Sequence, residues 1–312
     1  MHIINIFHEE KTEEWNNFID KAKNSTFLLK RGFMDYHKER FTDFSLMIYR
    51  DSELLALLPG CKVQDTFASH AGLSYGGLIY TSNLKQSESI QILDEIKAFL
   101  KQHKLTNLIY KEIPSIYCRV QSEEIIYALF KQKAELYRRD ASTIIDMNNP
   151  IKWSKGRKAL LSIAKKSNLL INDSSTDSTS ILKCAANNLK NKYNKNLTHT
   201  PEELNLLKRR FPEKIEFIQI ELENVYLCGA VLFLTDLVIH AQYIANTIDG
   251  KEKGAFELIL QHILNKHSNK KYFDFGISTE NDGIYLNGGL QTYKESFGAR
   301  TFLFNHYKLS LI

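Results

Sequence analysis

The sequence has no long hydrophobic run and no targeting signal. Among its 312 residues, no apolar stretch approaches the roughly 18 residues of a membrane-spanning helix. The N-terminus, MHIINIFHEE, lacks the basic and apolar segments of a secretion signal. These absences predict a cytoplasmic protein with no membrane partner. With 43% hydrophobic and 25% charged residues, the chain is typical of a globular protein long enough for two domains.

Cysteine is scarce, and its spacing argues against disulfides and zinc. The four cysteines are Cys61, Cys118, Cys184 and Cys228, and no CxxC pair occurs among them. Each lies among apolar neighbours, which favours buried free thiols. We therefore expect no metal site.

Acidic residues are missing from the stretch 152–166, which contains six basic residues. These are Lys152, Lys155, Arg157, Lys158, Lys165 and Lys166. Such a cluster suits the phosphate groups of a nucleotide or of coenzyme A, and it equally fits the solvated face of a helix. Nucleic acid is a weaker candidate, because the stretch is short and holds one aromatic residue, Trp153.

The C-terminal region has the most informative pattern: an apolar strand, a loop with two glycines, and a helix. The strand is predicted at 237–246 (LVIHAQYIAN), and the loop contains Gly250 and Gly254. The helix is predicted from one apolar stripe, formed by Phe256, Ile259, Leu260, Ile263 and Leu264. A loop that opens a helix directs N–H groups at an anion, so it can hold a phosphate. Two such glycines are also common caps, and both interpretations remain open.

Strands alternate with helices around a hairpin in each half of the chain. This order predicts an α/β (α+β) fold with a mixed, mostly antiparallel sheet in each half, flanked by helices. The second hairpin is predicted at 215–222 and 225–234. A polar stretch at 147–150 ends in Pro150 and predicts the boundary between domains 1–147 and 148–312.

Four segments of the second half occur in a distinctive order. They are HAQYIAN, DGKEKGAFELIL, YFDFGIS and NGGLQTYKESFGA, preceded by HAGLSYGGLIY in the first half and SKGRKALLSIAKKSN in the middle. The series resembles the acyl-CoA-binding half of the GNAT acyltransferase superfamily, and more narrowly its FemAB-like tandem-domain branch. Within that branch it is similar to bacterial nucleotide-sugar N-acyltransferases (FdhC-like). The resemblance covers most of the chain and implies two tandem GNAT-like domains.

The resemblance also implies a reaction. An acyl group would pass from acyl-CoA to the amine of a nucleotide-linked deoxyamino sugar, a dTDP-linked 3-amino-3,6-dideoxyhexose, for O-antigen or capsule synthesis. Direct attack on the thioester needs no Ser/His/Asp signature. The first half lacks glycine in 81–87, after its equivalent strand, so we expect it to wall the acceptor site instead of binding CoA. The sugar, the acyl chain and the oligomeric state stay open, with a homodimer as one alternative.

The second half is expected to bind the donor and supply the catalytic groups. The implied CoA-binding residues are Tyr243, Ile244, Gly250, Lys251, Lys253, Gly254 and Ala255. His240 is the candidate base, because histidine titrates near neutrality, although a buried structural histidine is an equal alternative. Tyr293, in YKESFG, is the candidate acid beside the leaving thiolate. A core aromatic is its alternative, and Lys294 is a rival as a ligand for phosphate or the oxyanion.

The candidate acceptor-binding residues come from both halves of the chain. They are His70, Tyr75, Asp274, Ser278, Asn281, Asn287 and Lys294. Asp274 and Ser278 lie at and beyond a predicted strand end, where α/β sheets collect ligands. Asp274 would hold an ammonium or a sugar hydroxyl, or it would cap the following turn.

Two other functions remain open. A Fem-type peptidoglycan aminoacyltransferase would use aminoacyl-tRNA, and such proteins usually insert a long helical hairpin in the second domain. Here 178–211 offers only two short helices, interrupted at 198–201 (THTP). The third alternative is a non-catalytic binding module with the acyltransferase fold.

Overall fold

The computed structural model describes residues 2–193 and 196–312, and the chain forms two compact units. The first comprises Met1–Asp140, Asn281–Tyr285 and Leu303–Ile312. The second comprises Ala141–Glu280 and Leu286–Phe302. The boundary of independent domains at 147/148 stays a prediction.

The N-terminal part of the chain contains short strands around two long helices. Its elements are β1 (His2–Ile6), α1 (Thr12–Lys21), α2 (Arg31–Met34), β2 (Thr42–Asp43), β3 (Leu46–Arg50), β4 (Glu53–Leu58), β5 (Cys61–Val63), β6 (Thr66–Ala68), β7 (Ile79–Tyr80), α3 (Gln86–Gln102), β8 (Asn107–Lys111), α4 (Glu124–Lys131) and β9 (Glu135–Asp146). Short 3₁₀ turns lie at Glu9–Lys11, Phe27–Leu29, Asp35–Arg40 and Ser115–Tyr117.

The C-terminal part has longer strands. Its elements are α5 (Lys155–Lys166), β10 (Leu170–Ser175), α6 (Thr179–Tyr193), α7 (Pro201–Arg210), β11 (Ile215–Leu222), β12 (Val225–Leu234), β13 (Val238–Asn246), α8 (Ile248–Glu252), α9 (Ala255–Lys266), β14 (Tyr272–Ile277), β15 (Thr279–Glu280), β16 (Tyr285–Leu286), α10 (Gly288–Glu295) and β17 (Arg300–Ser310). The hairpin β11–β12 has the predicted bounds.

The first unit contains an antiparallel sheet in the order β1-β3-β4-β7. Its other strands pair in the order β2-β5-β6-β8-β17, where only β6 and β8 run parallel. Helix α3 packs Ile92, Ile96 and Leu100 into the core of this unit, because these residues recur at helical spacing.

The second unit orders its strands as β10-β11-β12-β13-β14-β9. Every pair is antiparallel except β13 with β14. The mixed, mostly antiparallel α/β architecture expected from the sequence is therefore confirmed. Helix α9 covers one face of this sheet with its predicted stripe, in which Phe256, Ile259, Leu260 and Ile263 are at most 1% exposed. Burying each such side chain stabilises the unit by about 1.5–3 kcal/mol.

The predicted two-glycine loop differs from the structure. Gly250 lies inside the short helix α8, and Gly254 is the N-cap of α9 with a left-handed φ of 68°. A Cβ on Gly254 would stand 2.3 Å from the carbonyl oxygen of Leu160, in α5. Glycine at 254 therefore permits the close packing of α5 on the start of α9.

Gly254→Ala should destabilise the protein by about 2–4 kcal/mol, because it adds left-handed strain to the clash with Leu160. Urea unfolding measures this loss. Gly156→Ala is the matched control on α5, where an added Cβ meets nothing within 4 Å, and it should be neutral or slightly stabilising. Equal midpoints for the two variants would contradict the packing argument.

Candidate functional site

Strands β13 and β14 part in the middle of the second unit. Their parallel register pairs Val238 with Tyr272, Ile239 with Phe273 and His240 with Asp274. In the described register, β13 then continues to Asn246 beside β12, without a partner residue in β14. This separation leaves one edge of β13 beyond His240 without strand pairing, and backbone groups at such an edge can bind an extended ligand.

The side chains of the last pair in this register, His240 and Asp274, are within hydrogen-bond distance of each other. His240 Nδ1 lies 3.0 Å from Asp274 Oδ2, and the carboxylate is fully buried. Ser142 Oγ donates to Asp274 Oδ1 at 2.6 Å, and the Gly276 amide donates to the same oxygen at 2.7 Å. Asp274 thus caps the following turn and orients His240 as well. The turn-capping bond proposed for Asp274 is present, and its role in binding the acceptor stays a prediction.

His240 is placed to exchange protons. Its side chain is 18% exposed, whereas Asp274 is 0% exposed. When the imidazole donates Nδ1–H to the carboxylate, its Nε2 is the nitrogen that accepts a proton. A histidine oriented by a carboxylate is one arrangement that general-base catalysis uses, and the role of His240 as the base stays a prediction.

Lys294 reaches the same turn from α10. Its ammonium donates to the carbonyl oxygens of Gly276 and Ile277, at 2.7 and 2.8 Å. Burial lowers the pKa of Lys294 to about 8, and the negative charge of Asp274 opposes that shift. The turn 274–277 therefore gathers a histidine, a carboxylate and a buried lysine.

Ser278 and Asn287 lie next to this turn and form hydrogen bonds within the chain, and their role in binding the acceptor stays a prediction. Ser278 Oγ is 3.0 Å from Thr143 Oγ1, and Thr143 also donates to Gln291 Oε1 at 2.9 Å. Asn287 is the N-cap of α10, accepting from the Leu290 amide at 3.0 Å. These bonds fix α10, and with it Lys294, against the strand end.

Tyr293 does not join His240. Ile239 and Phe273 belong to the core cluster under α9, so the alternating His240 and Asp274 side chains lie on the opposite face of the sheet. Tyr293 packs against the cluster under α9, with the ring of Phe297 5.4 Å away. Burial raises its pKa, which opposes proton release. The role of Tyr293 as an acid stays a prediction.

Four backbone amides of the segment 250–255 donate within the chain. The Gly250 amide donates to Thr247 Oγ1 at 3.0 Å. The amides of Lys251 and Lys253 donate to the carbonyl oxygens of Thr247 and Asp249, and the Gly254 amide donates to that of Lys251. Lys253 also pairs with Asp249 at 3.2 Å. A pyrophosphate here requires some of these bonds to open, so CoA binding by Gly250 through Ala255 stays a prediction.

The two strand residues proposed for the donor have different surroundings. The Tyr243 hydroxyl lies 2.8 Å from Nδ1 of His199, a residue that the sequence did not single out. Ile244 packs against the core cluster under α9.

Three of the predicted acceptor residues belong to the first unit. His70 has a left-handed φ of 41° and is buried, and burial lowers its pKa to about 3. The Tyr75 hydroxyl is 2.9 Å from Thr26 Oγ1, and its ring lies 4.9 Å from that of Tyr117. Asn281 is in a turn, with φ 50°. The other four, Asp274, Ser278, Asn287 and Lys294, lie together in the second unit.

Sequence reasoning missed Ser142 and the pairing of Arg157. The signal for Ser142 was a polar residue within the β-strand pattern ASTIID. Arg157 donates to the buried Glu257 at 2.8 Å, and its guanidinium lies 4.3 Å from the Tyr293 ring centre. One of the six basic residues of 152–166 is therefore committed to the fold.

In the part of the chain that the structure describes, no helix is long and apolar enough to cross a membrane. No group of three or more histidine, cysteine or acidic side chains among the described residues could hold a metal ion. The four cysteines are free thiols, and Cys184 alone of them is half-buried.

No family model and no curated protein matches the chain. Solved structures do. FemX matches with 12% identity and a TM-score of 0.66 over 99% of this chain and 97% of that one. L-PGS from Bacillus licheniformis matches with 12% identity and a TM-score of 0.59, covering 97% and 92%. A tandem GNAT protein from the clavulanic acid biosynthesis pathway matches with 8% identity and a TM-score of 0.56, covering 100% and 99%. At these identities the likeness shows the fold, which is the GNAT-like fold expected from the sequence.

Proposed function

We propose that the protein transfers an acyl group from an activated carrier to an amine, with His240 as the general base. The observation that carries this proposal is the His240–Asp274 pair at the point where β13 and β14 part. A donor arm lying along the free edge of β13 would bring its carbonyl to the His240 side chain. The fold shared with FemX and the tandem GNAT protein supports the same reaction class.

The proposed reaction needs one proton acceptor and one oxyanion ligand. The amine nitrogen attacks the donor carbonyl carbon, and the carbonyl electron pair moves onto oxygen. His240 Nε2 takes the proton that the amine loses, while Asp274 balances the imidazolium charge. Collapse of the tetrahedral intermediate breaks the bond to the carrier, and the imidazolium returns the proton to the leaving sulfur or oxygen.

Lys294 is the proposed ligand of the oxyanion. Two of its three N–H groups bind the carbonyls of Gly276 and Ile277, which fixes the ammonium beside the reacting turn. The third is available to the developing oxyanion, and a pre-oriented cation in a buried site stabilises such charge strongly. Tyr293 remains the alternative acid for the leaving group.

The finer proposal is that the carrier is CoA and the acceptor a nucleotide-linked deoxyamino sugar. It rests on the sequence resemblance to FdhC-like enzymes, with the dTDP-linked 3-amino-3,6-dideoxyhexose as acceptor. The structure contributes no acceptor contact to this finer proposal, because Asp274 and Ser278 are buried and bonded within the chain.

A second candidate is aminoacyl transfer from tRNA, as in Fem-type enzymes. The specific observation in its favour is that the amides of Gly250, Lys251, Lys253 and Gly254 already donate to acceptors in the same chain. A pyrophosphate bound there would have to displace these hydrogen bonds. The fold likeness to FemX agrees with this alternative.

Free-thiol release from acyl-CoAs, measured with several nucleotide-linked amino sugars, tests the finer proposal. Release that depends on one sugar and is lost in His240→Asn supports both donor and acceptor. Tyr293→Phe in the same assay tests the acid. Transfer from aminoacyl-tRNA without thiol release would replace CoA by tRNA and keep the His240 chemistry. If neither donor reacts with any amine, the chain is a binding module and the proposed function fails.

A further inference from the structure

Helix α5 carries two pairs of exposed lysines on one side, one pair near each end. With 3.6 residues per turn, Lys155, Lys158, Lys165 and Lys166 fall on one side of the helix, and all four are exposed. The opposite side carries the buried Ala164 and Arg157, whose side chain is only 20% exposed. The helix is therefore docked by one face and leaves its lysines free.

No acidic residue lies near these lysines along the chain. The sequence contains no aspartate or glutamate from Met147 to Asn172. Asp173, the next acidic residue, pairs with His262 and Lys266 at 3.0 and 3.3 Å. Within 2–193 and 196–312, no ion pair involves the four lysines, so the face has a concentrated positive potential.

Apolar side chains are exposed in the same stretch of the chain. Ile163 flanks the lysines, about 60° from Lys166 around the axis of α5, and is 48% exposed. Leu170, four residues beyond the helix, is 62% exposed. Ile151, just before the helix, is 43% exposed. We call Lys155, Lys158, Ile163, Lys165 and Lys166 the lysine face.

We propose that the lysine face docks the protein on an anionic lipid surface. Lysines on the polar side of a surface helix pair with anionic headgroups, while aliphatic side chains beside them enter the headgroup boundary. A helix that lies on a membrane needs no spanning segment, so this inference replaces the sequence expectation of no membrane partner and goes beyond the proposed transfer reaction.

The composition of the face favours lipid over RNA. RNA-binding surfaces combine basic residues with arginine planes or aromatic rings that stack on bases. Here the arginine of α5 is bound to Glu257, and Trp153 packs edge-on against Phe297 at 5.3 Å. The exposed apolar residues of this stretch, Ile151, Ile163 and Leu170, are aliphatic, and contact with lipid would remove them from water.

Sedimentation with vesicles tests the proposal. The protein should sediment with vesicles of phosphatidylcholine and phosphatidylglycerol but not with phosphatidylcholine alone, at about 0.1 M salt. The variant with Lys155, Lys158, Lys165 and Lys166 all changed to Ala should bind at least about a hundredfold more weakly, since each lysine near an anionic surface contributes about fivefold. The control variant loses four exposed lysines elsewhere: Lys62, Lys85, Lys101 and Lys131, each to Ala.

A second variant separates lipid from nucleic acid. Ile163→Gln with Leu170→Thr keeps every charge and should weaken vesicle binding about tenfold, while leaving any retention of bulk tRNA in gel shifts unchanged. Equal vesicle binding by the lysine-face and control variants overturns the proposal. A second result would also overturn it: the parent protein binds tRNA but not vesicles, and only the lysine-face variant loses the tRNA binding. Unchanged thermal unfolding shows that each variant is folded.

Discussion

Asp274→Asn should lower kcat by about 10²–10⁴-fold with either donor, and KM should change little. Asparagine has nearly the same shape, so the hydrogen bonds from Ser142 and Gly276 to Oδ1 can persist. The amide cannot balance an imidazolium, and its NH₂ group in place of Oδ2 would repel the Nδ1–H of His240. Initial rates over a range of donor concentrations measure both constants.

Two further variants make this result specific. His240→Asn should lose as much activity as Asp274→Asn, and the double variant should lose no more, because the two residues act as one unit. Ser142→Ala removes one hydrogen bond to the carboxylate and should cost about tenfold or less. A folded Asp274→Asn protein with parental kcat would show that the pair only stabilises the strand end.

The strands of the site could be predicted from the sequence, but their pairing could not. The apolar runs LVIHAQYIAN and YFDFG predict both strands and place His240 and Asp274 within them. That these two residues share the last rung of a three-residue parallel ladder depends on sheet register. Register is set by tertiary packing, here by α9 beneath Ile239 and Phe273.

The glycine pattern shows a limit of another kind. A glycine before a helix is required equally by a nearby phosphate and by a nearby peptide of the same chain. At Gly254 the neighbour is the carbonyl of Leu160, and nothing in the sequence near 254 reports the packing of α5. The same holds for Arg157, which reads as part of a basic cluster but is bound to Glu257.

Adjacent residues on α10 illustrate what helix geometry can decide. Tyr293 and Lys294 differ by about 100° around the helix axis, so only one of them can face the turn 274–277. The sequence motif YKESFG does not say which. In the structure the Lys294 side chain binds the turn 274–277. The Tyr293 side chain packs against Phe297, which also contacts Phe256.

Lys294→Met should lower kcat by about 10²–10³-fold, the usual effect of removing one oxyanion ligand. The pKa of Lys294 is about 8, so the parental rate should fall as pH rises past 8 and the ammonium loses its proton. The Met variant should lack this descending limb. Lys294→Arg, which stays charged, should keep more activity than Met and also lack the limb. A pH–rate profile of the three proteins measures all of these effects.

As pH rises past 8, the free energy of unfolding should rise while the reaction rate falls. This difference distinguishes a loss of catalysis from a loss of folded protein. The folded pKa lies below the unfolded value of about 10.4, so burial of the ammonium costs stability below pH 8. Between pH 8 and about 10.4 the unfolded chain binds more protons than the folded one, and this contribution to the unfolding free energy rises with pH. A fall in activity above pH 8 that accompanied unfolding, or that persisted in Lys294→Met, would remove Lys294 from the mechanism. If the rate falls above pH 8 in the parental protein while it stays folded, and does not fall in the variants, the descending limb belongs to the Lys294 ammonium bound to the carbonyls of Gly276 and Ile277.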